Sequence, residues 1–337
     1  MQIIKWIKIT LALTLAVALV TGVTVEQVAR VHARRKWTVP GRLVDVGGGR
    51  RIQIDCRGSG SPTVVLESGL DNYGSLAWAA VHDSIAQTTR TCAYSRAGIM
   101  WSDPRRGGFD SQGAARDLRA ALAVNGEVAP WVMVGHSIGA AYIMTFTRLF
   151  GAEVGGLVSV DGSHPDQFAR YREVTGKSLV PSATVPRIGA ALAWTGLLRA
   201  LPAAPTPASW PAVIDKVTPG FLPTSLGALA SEANAIPATL SSAGESRVLG
   251  DRPLIVLTAG QPQPPAALKA MGITADQGRR VQAASRALHD EQATWSRHGR
   301  NDLVPDASHY IQFDRPDVVI GAVREVVAAV RSRRQSP

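Results

Sequence analysis

The stretch Val132–Ala140, VMVGHSIGA, sets one serine between two glycines, Gly135 and Gly139, at the end of an apolar run. A serine hydroxyl is a weak nucleophile until a base takes its proton and a third group orients that base. Glycine two positions to either side allows backbone angles and close approaches that a β-carbon forbids. Gly-x-Ser-x-Gly between a strand and a helix is what a sharp strand-to-helix turn requires, and such a turn lifts the hydroxyl clear of a sheet edge. By itself the pentapeptide also fits an ordinary turn. Its chemistry depends on partners elsewhere in the chain.

The elements around it alternate. GRLVDVGGGRRIQIDCRGSG reads as two strands about a glycine turn, PTVVLESG and RTCAYS as buried strands, and SLAWAAVHDSIAQTT between them as a helix. SQGAARDLRAALAVNG is helical, with Ser111 as a candidate N-cap and Gly126 as the stop. PWVMVG and VGGLVSVD are strands flanking the helical IGAAYIMTFTRLFG, and RPLIVLTAG is a later strand before a closing helix, DVVIGAVREVVAAVRSRR. Such alternation calls for a parallel sheet covered on both faces. Residues 162–251 differ: ten of the 21 prolines fall there. Proline breaks helices, so an insertion of several short helices is expected, with Phe168, Trp194, Leu198, Trp210 and Phe221 as candidates for its own core or for a pocket wall.

Of the net charge of +10, residues 1–51 contribute +7 and Arg331, Arg333 and Arg334 contribute +3, leaving 52–330 neutral. A nucleic-acid binder carries its excess on the folded body, so that class is excluded. The basic end flanks 17 uncharged residues, Ile9–Val25, preceded by Lys5 and Lys8. That length suits a membrane span, and the one Ala-x-Ala of this N-terminal segment, Ala16–Ala18, lies too early for a good cleavage site. An anchor followed by a linker over residues 1–38 is the first reading and a cleaved signal the second. Arg30, Arg34, Arg35 and Lys36 compete with the two lysines, so charge alone leaves the orientation open.

With TVVLESGLDNYGSLAW, RTCAYSRAGIMWSD, WVMVGHSIGAAY, GLVSVDGSHPDQ, RPLIVLTAG and ASHYIQFDRPDVVIGAV in this order, the chain from about Pro40 to Arg331 resembles the α/β-hydrolase superfamily, in particular its serine esterase and lipase-like members. The resemblance implies a mostly parallel eight-stranded sheet with helices on both faces, core segments 39–161 and 252–334, and a helical lid at 162–251. It implies Ser137 as nucleophile and His309, on the loop before the last helix, as base. The remaining histidines (His32, His82, His136, His164, His289, His298) lack that context and read as surface or polar-core residues. The family usually places the acid after the strand RPLIVLTAG, but QPQPP follows here. Some members place it one strand earlier, which selects Asp161, with Asp166 and Asp276 held open. Oxyanion donors would be the backbone N–H groups of Ile138 and of Leu70. Ser68 stands where relatives often have histidine, and Ser95 where they commonly have aspartate.

In that fold the second strand lies antiparallel beside the fourth. Cys56 ends the one and Cys92 begins the other, so the chain's two cysteines are expected to face each other, with α-carbons about 4.5–5.5 Å apart, and to form a disulfide. Disulfides persist in oxidising compartments, which puts the catalytic domain outside the cytoplasm, anchored or secreted. The expected activity is cleavage of a small carboxylic ester through an acyl-enzyme on Ser137, without cofactor or metal. A cofactor-free perhydrolase or acyltransferase on the same residues, and a catalytically silent binding protein on this fold, are the alternatives.

Overall fold

The computed structural model describes residues 2–202 and 206–335. Residue 1 of the expected anchor, residues 203–205 of the expected insertion, and 336–337 lie outside the described residues. Helix α1 (Gln2–Lys36) comes first. A β-hairpin follows, β1 (Arg42–Asp45) and β2 (Arg51–Arg57), then β3 (Thr63–Glu67), a 3-10 turn at Gly74–Trp78, the short α2 (His82–Ala86) and β4 (Thr91–Ser95). Next are α3 (Ser111–Val124), β5 (Trp131–His136), α4 (Gly139–Phe150) and β6 (Val154–Val160). Between β6 and β7 (Leu254–Ala259) lie α5 (Gln167–Thr175), α6 (Thr184–Leu192), 3-10 turns at Ala193–Thr195 and Leu197–Ala200, and α7 (Ala212–Gly244). The chain ends with α8 (Pro265–Met271), α9 (Ala275–Ala293), β8 (Gly299–Val304), α10 (Ile311–Asp314) and α11 (Pro316–Gln335).

The eight strands form one sheet in the order β1-β2-β4-β3-β5-β6-β7-β8, with β2 antiparallel to both neighbours and every other pairing from β4 to β8 parallel. A strand buried on both faces must be apolar at odd and even positions alike, and β5 shows the consequence. Trp131 and Met133 join a core cluster with residues of α3, α4 and α7, while Val132 and Val134 join one with residues of α2 and α11. This alternation fixes the register of β5, because a one-residue slip would exchange the two sets.

Three local expectations change. Helix α3 is capped by Asp110, whose side chain accepts from the Gly113 N–H, and Ser111 is its first residue. The segment before β4 is a 3-10 turn plus a five-residue helix rather than one helix. The insertion's prolines do not keep all its helices short: α7 runs 33 residues with Pro219, Pro223 and Pro237 inside. Pro223 has no N–H for the Pro219 carbonyl. Arg199 supplies the missing donor, with Nη1 to the Pro219 oxygen and Nη2 to that of Gly220, both at 3.3 Å. The same arginine pairs with Glu26 of α1 at 2.8 Å, so the carboxyl-terminal half of α1 is docked on the insertion.

Cys56 and Cys92 are register partners on β2 and β4, 4.0 Å apart at their α-carbons, and are joined by a disulfide. The spacing is slightly closer than the expected range. A cross-link spanning 36 residues restricts the unfolded chain enough to contribute roughly 3–4 kcal/mol. The Cys56→Ser, Cys92→Ser double variant is therefore expected to lower the urea midpoint by the equivalent of that loss, and the native protein should show no alkylated thiol without reductant. Two alkylated thiols, or an unchanged midpoint, would contradict this.

Candidate active site

The turn between β5 and α4 is tight enough to exclude β-carbons at both glycines. One at Gly135 would lie 2.6 Å from the Gly139 carbonyl oxygen, and one at Gly139 the same distance from that of Glu67. Between them Ser137 adopts φ +55°, a left-handed conformation costing of order 1–3 kcal/mol for a residue with a side chain. Its N–H donates to Val160 at 3.1 Å, and its carbonyl accepts from Ser163 at 2.8 Å, so the strain is held by the end of the neighbouring strand.

His309 occupies the loop between β8 and α10. Its Nδ1 donates to Asp161 Oδ2 at 2.6 Å, and its Nε2 lies 2.9 Å from Ser137 Oγ, leaving Nε2 to accept the hydroxyl proton. Asp161 follows β6 directly and is itself left-handed, at φ +42°. Its free oxygen accepts from the Ala259 N–H at 2.9 Å. Burial alone would raise the Asp161 carboxyl, but the His309 hydrogen bond and positive field, the His289 field and the Ala259 N–H together hold it below the ordinary range. His136 sits under His309: its Nε2 donates to the His309 carbonyl at 2.9 Å, and the two rings are 4.7 Å apart. Burial, helped by the field of His309, lowers His136 to about 3, so it is neutral around pH 7.

Ser137 and His309 open onto a cavity of about 350 Å³ that Leu70 and Ile138 also line. Its far walls mix Phe168, Ile236 and Val281 with the amides of Gln167, Gln261 and Gln282, and Tyr171 bonds Ser285 across it at 2.7 Å. Of the aromatic residues singled out in the insertion, Phe168 borders this cavity, Phe221 is buried against Trp101, and Trp210 packs on Tyr310 and Phe313. Trp194 is exposed, and Leu198 is half-buried. The reserve carboxylates are engaged elsewhere, Asp166 with Arg247 and Asp276 with Arg279 and Arg280.

Sequence reasoning missed the groups that hold the loop carrying Leu70. Buried Arg96 donates to Glu67 at 2.7 Å, to the Ser68 and Gly69 carbonyls at 2.8 and 2.6 Å, and to Glu232 of α7 at 2.7 Å. Tyr94 bonds Glu67, and Tyr142 bonds Glu232. It also missed His289, which bridges Thr258 and the Gly162 carbonyl beside Asp161, both at 2.8 Å. A signal existed in principle: charged residues at the ends of otherwise apolar strands need buried partners. Ser95 works structurally, its hydroxyl linking Gln53 and the Ser75 N–H.

Two groups of ligand-type atoms occur among the described residues, Cys56–Cys92–Glu127 and His164–Asp166–Glu291. In the first, both sulfurs are in the disulfide; in the second, Arg247 pairs with both carboxylates, and the His164 Nδ1 accepts the Asp166 N–H.

The sequence matches no protein-family model. A 126-residue segment, 35% of the chain, is 33% identical to a protein of Hormonema carpetanum named as a probable transporter, efuK, and covers 18% of it. The chain spans less than half the length of the curated relatives it matches. Among solved structures, a thermophilic esterase from Thermogutta terrifontis is 20% identical with a TM-score of 0.59 over 86% of this chain and 99% of its own. An enol-lactonase from Burkholderia xenovorans LB400 is 18% identical with a TM-score of 0.58 over 85% of this chain and 100% of its own. The chain has the α/β-hydrolase fold, with α1 added before it.

Asp71, next to Leu70, is buried with Oδ1 accepting the Tyr73 N–H and Oδ2 unpartnered; burial pushes its carboxyl up to about 7. A carboxyl protonated in the folded chain but ionised in the unfolded one withdraws stability as pH rises, here from about 4 to about 7. Asp161 acts oppositely, adding stability above about pH 4 that is lost on acidification. Asp71→Asn is thus expected to match wild type in urea at about pH 4 and to exceed its midpoint at about pH 8. A lower midpoint at about pH 8 would refute this assignment.

Proposed function

We propose that this protein is a serine hydrolase that cleaves a small carboxylic ester through an acyl-enzyme on Ser137. The observation that carries the reading is the linked pair of contacts, Ser137 Oγ to His309 Nε2 at 2.9 Å and His309 Nδ1 to Asp161 Oδ2 at 2.6 Å. In this mechanism His309 takes the hydroxyl proton as Oγ attacks the ester carbonyl, and Asp161 keeps the ring in the tautomer that can do so. The N–H groups of Leu70 and Ile138 receive the oxyanion. His309 then protonates the departing alcohol, and a water activated by the same ring releases the acid. The cavity lies at the small end of the range for small-molecule sites, roughly 300–1,000 Å³. That favours short acyl chains, and the names of the esterase and enol-lactonase neighbours are consistent with ester chemistry.

We read α1 as the membrane anchor. It is the one described helix long and apolar enough to cross a bilayer, and no residue of its most apolar 18-residue window is buried. The disulfide supports a catalytic domain on the oxidising side, with Lys5 and Lys8 on the other. The core at 39–161 and 252–334 and the insertion at 162–251 form the enzyme proper.

Three measurements test the reading. Ser137→Ala should abolish p-nitrophenyl ester turnover with the fold intact, since loss of a triad member costs several orders of magnitude. A residual rate above about one per cent of wild type would remove Ser137 from the role. Asp161→Asn should cost far more activity than Asp276→Asn, and equal losses would misplace the acid. Butanoate esters should turn over faster than palmitate esters; the reverse would contradict the cavity argument.

A further inference from the structure

Outside α1, the described chain exposes twelve large apolar side chains, and six fall within residues 185–201: Val185, Ile188, Leu192, Trp194, Leu197 and Leu201. The rest are scattered, as isolated surface apolar residues normally are. Val185, Ile188 and Leu192 share one face of α6 at helical spacing, and α6 buries none of its residues. Val185 is 78% exposed, Leu197 55% and Trp194 50%, values that exclude a core role. The segment's two charges are engaged, Arg187 with Asn234 and Arg199 with Glu26.

The position of this patch along α1 identifies what covers it. A β-carbon at Gly22 would overlap the Thr195 carbonyl oxygen, and one at Gly196 would overlap that of Gly22, so the two backbones touch. The uncharged run of α1 ends at Val25, three residues past Gly22, or about 4.5 Å along the axis. Trp194 and Leu197, flanking the contact, therefore lie level with the last turn of the apolar run. The first charge beyond it, Glu26, is buried between Arg30 and Arg199, and Arg34, Arg35 and Lys36 follow further out. Apolar side chains below, a tryptophan at the boundary and cations above match the order of a bilayer surface.

We propose that residues 185–201 of the insertion rest in the lipid interface beside α1, so that the protein is held at the membrane by two adjoining surfaces rather than by a tether alone. This rests on the reading of α1 as a span. Pro181, three residues before α6, lines the Ser137 cavity, so the lipid-facing segment leads into the wall of the proposed substrate site.

The test uses the full-length chain in phosphatidylcholine–phosphatidylglycerol vesicles, with one new cysteine carrying an environment-sensitive fluorophore. The sites are Leu197→Cys for the patch, Leu15→Cys for the span, and Val248→Cys, beyond the far end of α7 and 80% exposed, for water. Unchanged turnover of a soluble ester verifies that each variant folds. Emission from Leu197→Cys and Leu15→Cys should be lost to nitroxide-bearing phospholipid and that from Val248→Cys to aqueous iodide. Lipid quenching at Leu15→Cys with only iodide quenching at Leu197→Cys would overturn the inference and leave the anchor standing. Shielding of Leu197→Cys from both quenchers would mean that a protein surface covers the patch, and would also overturn it. Absence of lipid quenching at Leu15→Cys would overturn the anchor reading itself.

Discussion

The guanidinium of Arg96 is the contact on which most of the site's architecture converges. It is fully buried between Glu67, at the end of β3, and Glu232, in the middle of α7, and its remaining donors hold the Ser68 and Gly69 carbonyls. One side chain thus joins the sheet, the insertion and the loop that presents Leu70. Removing one partner of such a pair leaves an uncompensated buried charge, typically a loss of 3–5 kcal/mol. Because desolvating the three charges offsets most of their attraction, net strength is not its main contribution. The arrangement ties the carbonyls that precede the Leu70 amide and the middle of α7 to one cation.

Of the three described non-glycine residues with positive φ, two lie against that frame at the site. Ser137 and Asp161 both have left-handed backbones, each at the carboxyl end of a central parallel strand, β5 and β6. The strands' register pairs His136 with Val160, which sets the two turns side by side. His309 has only to reach between them. Its loop is pinned by Ser308 to Asp314 and by His136 to the His309 carbonyl. Strained conformations persist where the surroundings over-determine them; here the Ser163 N–H donates to the Ser137 carbonyl, the Ala259 N–H to Asp161 Oδ1, and the Asp161 N–H donates to the Leu257 carbonyl.

Much of this was legible in the sequence because it depends on short-range rules. Gly135 and Gly139 announce the turn, the apolar runs announce strands buried on both faces, and Cys56 and Cys92 are legible once the strand order is known. The placement of Asp161 required knowing that QPQPP offers no carboxylate. Other features were not legible because their causes are tertiary. Strand β8, GRNDLV, has polar positions and lies in none of the segments read as strands, yet it pairs along its length with β7. Helix α7 carries three prolines, and the donor missing at one of them, Pro223, is replaced from outside the helix by Arg199. Arg96, Glu232 and His289 are separated by long stretches of chain, and no spacing rule relates them.

The most direct measurement is an attempt to trap the proposed acyl-enzyme. The protein is mixed with p-nitrophenyl acetate, quenched in acid during the first turnover, and its peptides are weighed. One acetyl group on the peptide that contains Ser137, absent when His309 is replaced by alanine, is the result expected of an acyl-enzyme formed with His309 as base. Release of p-nitrophenol with no acyl group on Ser137, or with the group on another residue, would contradict it.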